Sequence, residues 1–151
     1  MTIVVDVANV MGSRPDGWWR DRVGAAVRLH DQIARLAASG RAILPASVEP
    51  AGAADGQAAV PGFVLVLEGA ARAAVPRLPK PGPDAAGPPE PGEVRVAEAR
   101  GSGDDEIVAV VRELPGRRVV VTADRELRAR CAAAGAEILG PGWLLGQLRE
   151  Q

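Results

Sequence analysis

The chain has 151 residues, a formal net charge of -1, one histidine and one cysteine. The length suits one domain with its own core, and a single cysteine excludes an internal disulfide. The near-zero charge argues against binding of polyanions through overall positive charge. The apolar runs are too short to span a membrane, and the N-terminus has no basic leader. We therefore expect a cytoplasmic protein with one domain over residues 1–151.

The first segments predict a buried strand followed by a long helix. Residues 3–7 form an apolar, β-branched run with one acidic residue, which is typical of a strand buried on both faces of a sheet. We expect a loop at 11–17 and then a helix over about 18–39, because apolar residues recur there at helical spacing and Gly40 can end the helix.

The middle of the chain alternates short elements with loops. We predict a surface loop at 45–62, a strand at 63–67 and a short helix at 70–75. In 79–92, nine of fourteen residues are Pro or Gly. That composition predicts a flexible loop, because Pro donates no backbone hydrogen bond and Gly costs conformational entropy. A third strand follows at 93–97.

The last third predicts helices alternating with two further strands. Ser102 is a plausible N-cap for a helix with a clean apolar stripe that ends at Pro115. The later elements are expected as a strand at 118–122, a helix at 125–134, a strand at 137–139 and a helix at 143–149. This alternation predicts an α/β fold with three layers (α/β/α), in which helices cover both faces of a central parallel sheet of about five strands.

Acidic side chains stand at the ends of these strands and at one helix start. They are Asp6, Glu68, Asp104, Asp105 and Asp124. A parallel sheet brings the carboxyl ends of its strands to one edge, where ligands bind in α/β proteins. Crowded carboxylates repel one another, and carboxylate oxygens are ligands that Mg²⁺ and Mn²⁺ accept. The sequence therefore predicts an Mg²⁺ or Mn²⁺ site at this edge.

Single acids in this set also have structural explanations. Asp104 and Asp105 are charges that the dipole favours at a helix N-terminus. Asp124 suits the cap of a helix that begins at Arg125. Asp6 is harder to explain structurally, because a carboxylate at the end of a buried strand is unusual.

The segments VVDVANV, GSGDDEIV and VTADREL, in this order, resemble the PIN-like superfamily of metal-dependent nucleases, in particular its NYN branch. VVDVANV is similar to the first strand, with an Asp followed closely by an Asn. GSGDDEIV is similar to the acidic helix start, and VTADREL to the Thr-x-Asp strand end. The resemblance implies a single PIN/NYN-like domain that hydrolyses RNA phosphodiester bonds as a metal-dependent endoribonuclease.

The resemblance also implies roles for individual residues. The residues that match the catalytic set are Asp6, Asn9, Asp104 and Asp124. Asp104 is favoured over Asp105 because it stands three residues before Ile107, as in the family pattern. Asp105 is either a second metal ligand or a helix-dipole partner, and Glu68 completes the candidate ligands. Asn9 matches an Asn that lies beside the site and orients a ligand or phosphate.

Several residues around this edge could contact substrate. The candidates are Arg14, Arg20, Ser102, Thr122 and Arg125. Arg can grip phosphate bidentately, and a Trp of the segment SRPDGWWRDR could stack on a base. Equally, one Trp could pack in the core while the arginines are solvated. We expect Arg128 and Arg130 to form a solvated face.

Two alternative functions stay open on the sequence. One is a non-catalytic RNA-binding or regulatory module, and the other is a phosphohydrolase of small nucleotides that uses the same site. We expect His30 and Cys131 to pack in the core, so a Ser-His-Asp mechanism has no well-placed base. The expected partner is RNA, with no membrane, and a homodimer is among the assemblies left open.

Overall fold

The protein is described by a computed structural model over residues 1–15, 17–40, 44, 60–80 and 87–149. The strands are β1 (Thr2–Asp6), β2 (Gly62–Leu67), β3 (Val94–Glu98), β4 (Arg118–Val121) and β5 (Glu137–Leu139). The helices are α1 (Val7–Gly12), α2 (Arg22–Ser39), α3 (Gly103–Glu113), α4 (Arg125–Ala133) and α5 (Pro141–Arg149). Two 3₁₀ segments cover Trp18–Arg20 and Gly69–Arg77.

The five strands form one parallel sheet in the order β3-β2-β1-β4-β5. The chain builds outward from β1 to β3 on one side and then crosses to β4 on the other. The strand order therefore reverses between β1 and β4, and the crevice beyond their carboxyl ends is the usual ligand site of such a sheet. The predicted α/β fold with three layers and about five parallel strands is confirmed.

Two apolar layers hold the helices on opposite faces of the sheet. Alternate side chains of β1 point to opposite faces. Ile3 and Val5 belong to a core that α1, α2 and α5 cover. Val4 belongs to a second core, which α3 and α4 cover. Because β1 is buried along its whole length, its carboxyl end is held rigidly from both sides.

The short helix α1 (Val7–Gly12) was not predicted: it takes the last residue of the predicted first strand and the first two residues of the loop predicted at 11–17. Asp6 is the N-cap of this helix, and its Oδ1 accepts a hydrogen bond of 3.3 Å from the backbone N–H of Asn9. A capped N-terminus lets the chain turn from strand to helix without an intervening loop. The prediction failed because the β-branched residues around Asp6 favour strand over helix.

The long helix α2 begins four residues later than predicted. Trp18–Arg20 forms a 3₁₀ turn, and Asp21 then caps α2 by accepting a hydrogen bond of 2.9 Å from the N–H of Gly24. Gly40 ends the helix with a φ of 65°, as expected for a glycine C-cap. Trp18, the first residue of the 3₁₀ turn, packs against the apolar core on the face of the sheet that carries α1.

The remaining elements fall within one or two residues of their predicted bounds, apart from the 3₁₀ segment at Gly69–Arg77, which runs longer than the helix predicted at 70–75. His30 and Cys131 are buried as expected, and burial raises the pKa of the Cys131 thiol. Residues 81–86 of the flexible loop predicted at 79–92 and residues 45–59 of the loop predicted at 45–62 lie outside the described residues. Within the described ranges, no helix is long and apolar enough to cross a membrane.

Candidate active site at the carboxyl edge of the sheet

A hydrogen-bonded network joins the ends of β1 and β4 across the point where the strand order reverses. The hydroxyl of Thr122 donates to Oδ2 of Asp6 at 3.0 Å, and the same hydroxyl accepts the N–H of Asp124 at 3.2 Å. The side-chain oxygen of Asn9 accepts the N–H of Ala123 at 2.8 Å. Asp6, Asn9, Thr122 and Asp124, all predicted from the sequence, therefore come together here.

A second link joins the end of β2 to the start of α3. Oε2 of Glu68 accepts the backbone N–H of Gly103 at 2.6 Å. Gly103 is the first residue of α3, whose first turn also carries Asp104. A carboxylate at this position is stabilised by the helix dipole. Glu68, for which the sequence offered only a position at a strand end, is thereby held beside the acidic helix start.

The electrostatics of Asp6 and Asp104 reflect this crowding. Burial raises the pKa of Asp6, which is 7% exposed, and the charges of Glu68 and Asp104 raise it further, while the hydrogen bonds from Thr122 and the Asn9 N–H act in the opposite direction. Burial likewise raises the pKa of Asp104, with added repulsion from Asp124 and Glu68. Each acid is therefore destabilised in its charged form by acids from other elements.

Arg130 of α4, which the sequence assigned to a solvated face, forms an exposed ion pair with the first turn of α3. Its Nη2 lies 2.8 Å from Oδ1 of Asp105, and its charge lowers the pKa of Asp104. Asp105 is largely exposed, and its carboxylate pairs with Arg130 of α4 and not with the group of acids around Asp6. This ion pair lies on the solvent-exposed surface, in keeping with the solvated face expected for Arg130, and Arg128 is exposed as predicted.

Several site residues also cap helices. Asp6 caps α1, Asp124 caps α4 through a hydrogen bond of 2.9 Å from the N–H of Leu127, and Ser102 caps α3 through the N–H of Asp105. The structural explanation considered for Asp124 therefore applies. A cap uses one oxygen of a carboxylate, so capping leaves the second oxygen of Asp124 for other contacts.

The predicted arginines of the substrate rim occupy different places. Arg14 donates to Gln32 at 2.7 Å. Arg20 lies 5.8 Å from the ring centre of Trp19, the exposed one of the two tryptophans, while Trp18 packs against the core. Arg125 is exposed at the start of α4. Trp18 therefore packs in the core, as one interpretation expected, while base stacking by the exposed Trp19 stays a prediction.

The donors at this edge are chemically suited to a hard cation, since they are carboxylate, amide and hydroxyl oxygens. Among the described residues, no three His, Cys, Asp or Glu side chains stand close enough to form a ready cage for a metal ion. Mg²⁺ is usually bound through one or two protein carboxylates, with water and substrate phosphate as its other ligands. The set around Asp6 and Asp104 fits that open mode of binding.

A cavity of about 370 Å³ adjoins the acidic edge on the β2 side. Glu68 lies in its wall together with Trp18 and Arg22, and the remaining lining comes from small or apolar residues of α1, of the 3₁₀ segment Gly69–Arg77 and of the chain before α3. The sequence placed Arg22 near the two tryptophans but did not indicate a cavity there.

The ion pair between Arg130 and Asp105 was not predicted from the sequence either. Its two residues are 25 positions apart, and no local sequence pattern links them.

No protein-family model matches the sequence, and no curated protein matches it. Among solved structures, the fold is similar to the crystal structure of a mutant of Rae1 (YacP) from Bacillus subtilis, with a TM-score of 0.62. The sequence identity is 14%, and the match covers 99% of this chain and 75% of that chain. The likeness shows a shared α/β fold with a central parallel sheet.

Proposed function

We propose that this protein is a metal-dependent ribonuclease of the PIN-like, NYN type, and that it hydrolyses RNA phosphodiester bonds at the edge where β1 and β4 end. One observation carries the proposal: acids from four separate elements meet where the strand order reverses, and there burial and the charges of Glu68 and Asp124 raise the pKa of Asp6 or Asp104. The fold shared with Rae1 and the resemblance of the three sequence segments support the same conclusion.

In this proposal, Asp6, Asp104 and Asp124 hold the cation, and Glu68 is a further ligand. A bound Mg²⁺ or Mn²⁺ supplies Lewis-acid activation and neutralises phosphate charge. Asn9 and Thr122 fix Asp6 and the chain after β4, so that the carboxylates stay oriented toward the crevice. Held geometry of this kind lowers the cost of reorganisation during the reaction.

The cation also explains why the acids are close to one another. Without it, burial and repulsion raise the pKa of both Asp6 and Asp104. A divalent cation removes the repulsion, so its binding is linked to the loss of any proton that these carboxyls hold. Arg20 and Arg125, both exposed, are proposed to contact phosphates of the RNA.

A second candidate is an RNA-binding module without catalysis. The absence of a three-ligand cage among the described side chains favours it, and so does the capping role of Asp6 and Asp124. In that case the acids stabilise helix starts and RNA binds without turnover, in a manner that survives chelation.

The test is a titration of Mn²⁺ and Mg²⁺ into the wild type and the Asp6→Asn variant, followed by calorimetry and by cleavage of a labelled single-stranded RNA. Asn keeps the size of Asp but loses its charge. We expect cation binding to be lost and cleavage to fall by about a hundredfold or more.

Glu113→Gln is the matched control, because it removes one exposed charge at the far end of α3. It should bind and cleave like the wild type. RNA binding in chelator without cleavage in either cation would support the binding module. Full cleavage by Asp6→Asn, in a preparation free of contaminating nuclease, would rule out the proposed site.

A further inference from the structure

The cavity beside Glu68 is formed by four segments that meet at the carboxyl edge. Ala8 and Met11 come from α1, Trp18 and Arg22 from the start of α2 and the turn before it, and Gly69, Ala70, Ala71 and Gly101 from the chain after β2 and before α3. The cavity thus shares one wall residue, Glu68, with the acidic edge. Whatever fills it lies next to the proposed reaction site.

The lining of the cavity is suited to a flat, partly polar molecule. Trp18 supplies an indole that is fixed by packing against the core. The guanidinium of Arg22 lies 5.5 Å from the centre of that ring. Indole and guanidinium planes are the surfaces on which proteins stack unpaired bases. Met11 and the alanines provide an apolar floor, and the Glu68 carboxylate can accept from a base amino group.

The size of the cavity selects among nucleic acids. A volume of about 370 Å³ lies at the lower end of ligand pockets, which run from about 300 to 1,000 Å³. It can receive one base with its ribose and excludes a base pair. A base inside a duplex would have to unpair and leave its stack before it could enter the cavity. An unpaired base avoids that free-energy cost.

We infer that this cavity is a binding site for one unpaired nucleobase of single-stranded RNA, adjacent to the phosphate at the acidic edge. The assignment of that phosphate as the scissile one rests on the proposed function, whereas base binding itself does not. Arg22 and Trp18 hold the base by stacking. The site makes the protein select single-stranded over double-stranded RNA.

The test uses Ala70→Leu, which fills the cavity from an exposed position. Ala73→Leu is the matched control, because Ala73 is exposed on the same 3₁₀ segment and lies outside the cavity lining. Binding of a labelled six-nucleotide RNA is measured by fluorescence anisotropy in chelator, so that neither a cation nor cleavage is needed. Melting temperatures check that both variants fold.

We expect Ala70→Leu to bind about tenfold more weakly than the wild type, which is the scale of losing one stacked base, and Ala73→Leu to bind normally. The same RNA with abasic positions should bind the wild type about tenfold more weakly and should bind Ala70→Leu no worse than the intact RNA does. Equal affinities of the two leucine variants would overturn the inference, as would absence of RNA binding by the wild type.

Failure of the nuclease proposal gives a different pattern. If the wild type cleaves no RNA with either cation, but Ala70→Leu still loses affinity and Ala73→Leu does not, the base site stands and the acidic edge is not catalytic. If the wild type cleaves and Ala70→Leu cleaves with unchanged kcat and KM, the nuclease stands and the base site is wrong.

Discussion

Single carboxylates at the sheet edge combine two kinds of contact. Asp6 caps α1 with one oxygen and accepts from Thr122 with the other. Each carboxylate oxygen has a second lone pair, so these hydrogen bonds do not prevent a further contact. These hydrogen bonds stabilise the charged form of Asp6, which burial disfavours. They also hold the carboxylate in place before any ligand binds.

The burial of Asp104 and its repulsion by nearby acids should affect the stability of the fold. Its pKa is raised in the folded state, so the protonated carboxyl stabilises the fold at low pH, and this contribution is lost as the pH rises through the folded pKa. We expect Asp104→Asn in chelator at pH 7 to melt about 2 °C above the wild type, a small gain because solvent screens the charges. Thermal melts followed by circular dichroism check this.

The gain should shrink as the pH falls toward about 4, where Asp becomes protonated in the unfolded chain. Asp105→Asn is the control next to it, since Asp105 is paired with Arg130 and its loss brings no relief of repulsion. A lower melting temperature for Asp104→Asn across the whole pH range would contradict the prediction.

The acids at this edge were visible in the sequence because each follows an apolar run or opens a helix. Their hydrogen bonds were not visible, since the partners of Asp6 and Glu68 lie 116 and 35 residues away. The pairing of Asp105 with Arg130 depends on how α3 packs against α4, which no local pattern specifies.

At the level of elements, the first residue of α3 packs closely against Glu68, directly after β2. A Cβ on Gly103 would lie 2.2 Å from Oε2 of Glu68, so any side chain there displaces this carboxylate. We expect Gly103→Ala to weaken Mn²⁺ binding by about tenfold, the scale of losing a residue that supports a metal site. Calorimetry with Mn²⁺ measures the change.

Glu68→Gln should weaken binding to a similar degree, because both changes remove the same charge from the edge. Gly142→Ala is the control, since a Cβ at this position of α5 meets nothing within 4 Å. Unchanged Mn²⁺ affinity in Gly103→Ala would mean that Glu68 takes no part in the site.

Most elements could be predicted from the sequence because their periodicity is clear. The buried strands are short apolar runs, and α3 shows both a Ser cap and an apolar stripe. Failure came where a polar side chain decided the boundary. Asp6 turns β1 directly into α1, and Asp21 delays α2 until after a 3₁₀ turn. In both places the cap outweighs the propensity of the neighbouring residues.

For the whole molecule, the net charge of -1 limits attraction to RNA at long range. If Arg20 and Arg125 are the phosphate contacts, the logarithm of the RNA association constant should fall with the logarithm of salt concentration with a slope of about -1.4, since each contact to a single strand contributes about -0.7. Anisotropy titrations in chelator at several salt concentrations give this slope.

Arg20→Gln and Arg125→Gln should each flatten the slope by about 0.7. Arg35→Gln is the control, because Arg35 lies thirteen residues beyond Arg22 on α2, which is about 20 Å along the helix. A slope far steeper than this, unaffected by either variant, would place the RNA on another surface.

The three-layer architecture could be predicted from the alternation of strands and helices. The order of the strands could not, because periodicity carries no information on which strand pairs with which. That order, β3-β2-β1-β4-β5, is what brings Asp6 beside Thr122.

The hydrogen bond between Asp6 and Thr122 therefore has a consequence for synthesis. Its two partners are separated by 116 residues, so a nascent chain carries the first acid long before β4 has emerged to complete the edge. An unfinished or truncated chain that stops before residue 122 lacks both Thr122 and Asp124. For a protein with the proposed activity, the ability to cut RNA arises only after the chain has been made through Asp124 and the sheet edge has folded.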